Sequence, residues 1–154
     1  KKLGVTVAVE NTEGEEYLEA VLRAYADEKA AGFCIDTGHE LCYNYGHDLI
    51  GKYADKLVCT HLNDNLGLTG TAITWLDDAH MLPFDGKVDF PGVAARLGRA
   101  GYTGPLTFEL TSRNKPDRHT HDRYAHLDAK GFIALALERA KRFAMLVERT
   151  AEKA

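Results

Sequence analysis

The feature that most restricts how this chain can fold is a recurrence. Four short apolar or β-branched runs, at residues 5–10, 32–36, 57–61 and 106–109, each end on a carboxylate or an imidazole: Glu10, Asp36, His61 and Glu109. Runs of this length and composition read as strands. Between them the spacing turns helical. Residues 15–31 carry Leu18, Val21, Leu22 and Tyr25 at intervals of three and four behind a Thr12-x-x-Glu15 capping box. A shorter helical segment, residues 48–54, precedes the third run. Residues 91–100 precede the fourth, with Asp89 at the start and Gly101 past the end, and residues 131–149 close the chain with Phe132, Leu135, Ala136, Arg139 and Phe143 along one side. Strand and helix alternating in this way argue for a parallel sheet with helical crossovers. Four such units are half of an eight-unit βα barrel, and 154 residues make one domain.

The phase within each run sharpens this expectation. Counting back from the terminal residue, one set holds Ala8, Thr6, Cys34, Gly32, Cys59, Leu57 and Thr107, nearly all small, while the opposite set holds Val5, Val7, Val9, Phe33, Ile35, Val58, Leu106 and Phe108. A pleated strand sends alternate residues to opposite faces. The bulky set is expected to meet the outer helices, and the small set to face the barrel interior with the four terminal residues gathered at its C-terminal mouth.

Three carboxylates and one imidazole form a mixed oxygen and nitrogen set suited to Mn²⁺, Mg²⁺, Co²⁺ or Zn²⁺ rather than to a thiolate-seeking ion. Singly, each has an ordinary reading: Asp36 before Thr37-Gly38 is also what a turn or helix cap looks like, Glu10 a loop residue, His61 a satisfied histidine at a strand end. Their shared type, position and phase argue for one site. Lys and Arg total 19 against 23 Asp and Glu, a net charge of -4, so no basic field is present to collect nucleic acid or an anionic membrane. No run approaches the roughly 20 apolar residues of a membrane span, and Cys34, Cys42 and Cys59 form no CxxC pair, which fits a soluble protein of the reduced cytoplasm.

Val9-Glu10-Asn11, Ile35-Asp36-Thr37-Gly38-His39, His61-Leu62-Asn63-Asp64-Asn65, the stretch from Asp78-Ala79-His80 to Val88-Asp89, and Thr107-Phe108-Glu109 resemble successive motifs of the xylose isomerase-like TIM barrel superfamily, in its sugar phosphate isomerase/epimerase group. The resemblance covers nearly the whole chain, in order, and implies the C-terminal half of a TIM (β/α)8 barrel. It implies Glu10, Asp36, His61 and Glu109 as ligands of one divalent ion, with Mn²⁺ the first choice. Glu10 and Glu109 become acid and base on a small sugar, sugar phosphate or polyol, passing its proton through an enediolate. It further implies His39 as a contact to a substrate oxygen, and Asp78 and His80 as a pair that supports the site or binds an additional metal, as in the abasic-site endonucleases of the same superfamily. One departure stands out: where many ketose epimerases place an arginine after the third strand, this chain reads Asn65-Leu66-Gly67-Leu68. Residues 112–126, rich in Arg and His, read as a solvated loop or an oligomer contact before a binding site for an acidic substrate.

Two readings compete with the isomerase: a zinc-dependent abasic-site endonuclease, which the acidic balance disfavours, and a non-catalytic barrel fragment. A half-barrel leaves apolar strand edges and a small-residue face without cover. The expected partner is therefore the missing N-terminal half-barrel or a second copy of the chain.

Overall fold

The computed structural model describes residues 3–151. Its sheet has three parallel strands, β1 (Val7–Glu10), β2 (Ala31–Asp36) and β3 (Leu57–His61), in that spatial order. Helix α1 (Glu15–Ala24) carries the chain from β1 to β2, and α2 (Thr37–Cys42) and α3 (Leu49–Lys52) carry it on to β3. After a long loop come α4 (Phe90–Arg99) and the closing helix α5 (Ala129–Ala151). Asp48 and Asp89 cap α3 and α4 as their positions predict, accepting from Gly51 N and Gly92 N. None of the described helices is long and apolar enough to cross a membrane.

The core lies on the helix side of the sheet. Phe33 and Ile35 of β2 are fully buried against Leu18 and Leu22 of α1, Leu49 and Ile50 of α3, Val93 and Leu97 of α4, and Phe143 of α5. Full burial of each such side chain contributes about 1.5–3 kcal/mol. Edge-to-face pairs, Phe33 with Tyr53 and Phe90 with Phe143, both with centroids 5.4 Å apart, fix the packing geometry.

Several expectations are corrected in detail. The fourth run forms no strand of the sheet; its one pairing is a parallel bridge from Leu62 to Phe108, with Leu62 N donating to Thr107 O at 2.9 Å. The Thr60 hydroxyl stands in for a ladder bond by accepting from Thr107 N at 2.9 Å. In β3 a bulge breaks the phase: Phe33 pairs with Leu57 but Cys34 with Cys59. Leu57 therefore packs against the core, and Val58 leans over Gly32 on the inner face, where any Cβ on Gly32 would collide with it. Past the bulge, Cys59 and His61 return to the inner phase. The Thr12–Glu15 capping box does not form either. Gly14, which has no side chain to cap with, stands at the N-cap of α1 in the left-handed region at φ +79°, and the Glu15 carboxylate bonds instead to Lys52 Nζ at 2.7 Å and His47 Nδ1 at 2.8 Å. Helix α1 stops at Ala24, so Tyr25 is exposed. Val5 and Val7, expected under helices, are exposed on the open edge.

On the inner face Thr6, Ala8 and Thr107 are exposed and Val58 is partly so. The chain thus has the architecture of a half-barrel, with one face closed by helices and the other open.

Candidate metal centre

Strand ends deliver the four residues singled out by phase to one point. Glu10 closes β1, Asp36 closes β2, His61 closes β3, and Glu109 follows Phe108 of the bridge. Each offers a ligand atom, and these atoms all lie within 4.8 Å of one another. His61 Nδ1 lies 3.2 Å from Glu10 Oε2 and 3.0 Å from Glu109 Oε2. His61 Nδ1 thus sits between two carboxylates at ion-pair distance. A nitrogen gathered among carboxylate oxygens is the donor mix of a divalent-cation site.

Asp36 is the anchor. Its backbone N–H donates to Asn11 Oδ1 at 2.7 Å, and Asn11 Nδ2 donates back to Asp36 O at 2.9 Å and to Asn44 Oδ1 at 3.0 Å. Its carboxylate accepts from His39 N at 2.7 Å and from Asn63 Nδ2 at 2.6 Å. Asp36 therefore caps α2, as its ordinary reading has it, while its second carboxylate oxygen is held by Asn63. Thr37 Oγ1 donates to Asn63 O, and Asn65 Nδ2 to Gly38 O, tying α2 to the segment after β3. Gly38 lies so close to Asn63 Oδ1 that a Cβ would collide with it. Burial pushes the Asp36 carboxyl up to about 6 against the pull of His39.

His39 sits inside this network. Its Nδ1 contacts Asn11 O at 2.8 Å and Glu10 Oε1 at 3.2 Å, its Nε2 lies 3.4 Å from Asp78 Oδ1, and its ring stacks on Tyr43 with centroids 4.8 Å apart. Burial works to lower its pKa, but Asp78 and Glu10 carry it up to about 11. Burial likewise works to raise Glu10, and the His39 and His61 rings overcome it and hold the carboxyl below its ordinary value.

Asp78 and His80 are brought to the same mouth. His80 Nε2 pairs with Asp78 Oδ2 at 2.9 Å while its Nδ1 contacts Glu109 O at 3.1 Å, and Lys115 Nζ approaches Asp78 Oδ2 at 3.5 Å. His39, Asp78 and His80 form a second group whose ligand atoms lie within 4.8 Å. His80 sits in the left-handed region at φ +50°, held there by the antiparallel bridge from Asp64 to Met81 and by Thr111 N donating to His80 O. Beside Glu109 and His80 opens a cleft of about 380 Å³, lined also by Trp75, Thr111, Arg113 and Lys115.

Sequence reasoning quoted Asn11, Asn63 and Asp64 inside motifs without a role, and it passed over Asn44 and Tyr43. Asp64 accepts from Asn65 N, Gly86 N and Val88 N at 2.8–2.9 Å and so pins the long loop after β3. The available signal was the concentration of Asn and Asp just past strand ends, where short polar side chains satisfy turning backbone.

Against known proteins, residues 1–130 match the model of the xylose isomerase-like TIM barrel family. An uncharacterized protein of Sinorhizobium fredii, y4fM, is 30% identical over 140 residues, covering 87% of this chain and 41% of the relative. A xylose isomerase domain protein from Alicyclobacillus acidocaldarius superposes with a TM-score of 0.63 at 21% identity, over 96% of this chain and 53% of the other. A D-tagatose 3-epimerase-like protein gives 0.59 at 20%, over 97% and 49%. A D-psicose 3-epimerase from Clostridium cellulolyticum H10, solved with D-tagatose, gives 0.59 at 16%, over 94% and 50%. The chain spans about half the length of these structures and 41% of the curated relative.

Proposed function

The chain belongs to the xylose isomerase-like TIM barrel family, and from that premise we propose that it supplies the metal site of an isomerase or epimerase acting on a small sugar, sugar phosphate or polyol. The observation that carries this reading is the meeting of one ligand atom each from Glu10, Asp36, His61 and Glu109 within 4.8 Å of one another. The epimerase names of two superposed structures agree with it.

Three carboxylates and one imidazole fit a hard or borderline divalent ion, Mn²⁺ first and Mg²⁺, Co²⁺ or Zn²⁺ next. Such an ion, once bound, withdraws charge from the substrate carbonyl and stabilises an enediolate. Glu10 and Glu109 project from the two outermost segments, so a ligand lying over Asp36 and His61 lies between them. Glu10, held below its ordinary pKa, is set to take a proton from one face, and Glu109, with its side chain 49% exposed and carrying a proton of its own, to donate that proton to the other face. His39, whose Nε2 lies 3.4 Å from Asp78 Oδ1, would contact a substrate oxygen placed beside this pair. Through His80, Asp78 steadies the backbone that carries Glu109. The open inner face takes the other half of a barrel, or a second copy, to complete the sugar pocket.

Two measurements test the reading. Metal analysis after dialysis should find one divalent ion per site, and Mn²⁺ at about 100 times its Kd should stabilise the fold by about 2.7 kcal/mol. Proton exchange at a ketose carbon, followed in deuterated water with Mn²⁺ on a protein comprising the whole barrel, should be fast; no exchange on any of a panel of sugars would sink the proposal. The triad of His39, Asp78 and His80 favours a second reading, a multi-metal endonuclease. Incision of an abasic duplex with Zn²⁺ would put that reading first.

A further inference from the structure

Beneath the oxygen-rich cluster lies a second one of different chemistry. Cys34 and Cys59 are direct register partners on β2 and β3, because the bulge at Val58 returns Cys59 to the inner phase. Each thiol precedes a proposed ligand by two residues, Cys34 before Asp36 and Cys59 before His61, so each lies on the same face one pleat deeper. The two sulfurs and one nitrogen of His61 lie within 4.8 Å of one another. A β2–β3 pair in unbroken register would not have set these thiols side by side in this phase.

We propose that Cys34, Cys59 and His61 form a site for a thiophilic divalent cation, Cd²⁺ or Zn²⁺, that competes with the oxygen-rich site for the His61 ring. Sulfur and imidazole donors select soft and borderline ions, whereas the carboxylates above select harder ones. Binding forms two metal–sulfur bonds and releases the two thiol protons to solvent. The residues serve either cluster but not both at once. A neutral imidazole has one lone pair to give, and two dications this close repel each other. A soft cation therefore empties the harder site by removing its only nitrogen donor.

The inference does not depend on the isomerase reading, and the experiment separates them. The protein is loaded with Mn²⁺, titrated with Cd²⁺, and followed by ultraviolet absorption and by the electron paramagnetic resonance of released Mn²⁺. A sulfur-to-metal charge-transfer band saturating at one equivalent, with loss of bound Mn²⁺ in step, is expected. Cys34→Ser and Cys59→Ser should each weaken the band and the double variant should abolish it; Cys42→Ser and Glu109→Gln should keep it. X-ray absorption on the Zn²⁺-loaded wild type, which needs no variant to fold, should show sulfur neighbours at about 2.3 Å. A shell of oxygen and nitrogen alone, a band undiminished in either single serine variant, or a band that survives in the double variant overturns the proposal. Failure of the protein to bind Mn²⁺ would count against the isomerase reading and leave the sulfur site standing.

Discussion

The two ends of the proposed metal centre are built in opposite ways. At the Asp36 end the ligand is fully buried and both its backbone groups and its carboxylate are held, by Asn11, Asn63 and the His39 N–H, with Asn44 behind Asn11. At the Glu109 end the side chain is 49% exposed, its strand has shrunk to a single bridge, and its own backbone carbonyl rests on the His80 ring. The first arrangement fixes a ligand before any cation arrives. The second leaves a carboxylate free to swing, which suits a group that must hand a proton to a substrate. One site thus joins a stability-bearing half and a chemistry-bearing half, and substitutions should divide accordingly.

The largest effect belongs to the mobile end. Glu109→Gln keeps the shape and removes the basicity, so turnover in the whole barrel should fall by about 10²- to 10⁴-fold, or about 3–5 kcal/mol in the barrier. Because Glu109 supports nothing buried, its melting temperature should hardly move. Turnover at the wild-type rate would remove Glu109 from the chemistry; a large drop in melting temperature would erase the contrast between the two ends.

Asn11→Ala should do the reverse. It strips the paired bonds from Asp36 N–H and C=O, and each orphaned buried group costs about 1–3 kcal/mol, so a loss of about 2–6 kcal/mol is expected in chemical denaturation. Metal affinity should drop with it, since Asp36 would no longer be held in place. A neutral Asn11→Ala would show that the carboxylate needs no such clamp.

This contrast was half legible in the sequence. That four strand-end residues would share one mouth followed from period-two phase, and the structure brings Glu10, Asp36, His61 and Glu109 together. The phase argument assumed an unbroken pleat, however, and no residue type at Val58 announces a bulge; it went wrong at Leu57 and Val58 and came right again at Cys59 only because the bulge adds one residue. The capping-box pattern at Thr12 and Glu15 was a local signal overridden by distant partners of the Glu15 carboxylate, Lys52 and His47. The amide clamp around Asp36 was illegible for the same reason, since its bonds join residues 25 to 33 apart. Local pattern carries strand phase and helix starts well; long-range polar pairing leaves little trace until the chain is folded.

The smallest effect is expected at the open edge, and it tests whether the half-barrel needs cover. Val7 shares the helix-side phase of Val9, yet Val9 packs against the core while Val7 stays 64% exposed. A strand residue so exposed has little burial to lose, so Val7→Ser should shift the stability of this chain by less than about 0.5 kcal/mol. In a protein carrying the complete barrel the same valine faces the layer of outer helices, and the cost should rise toward the roughly 1.5–3 kcal/mol of a fully buried valine. The difference between the two denaturation experiments reports how much of β1 the second half covers. Equal small costs in both would mean that β1 stays an open edge even in the longer protein, so that the inner face above Ala8 would have to find its cover elsewhere.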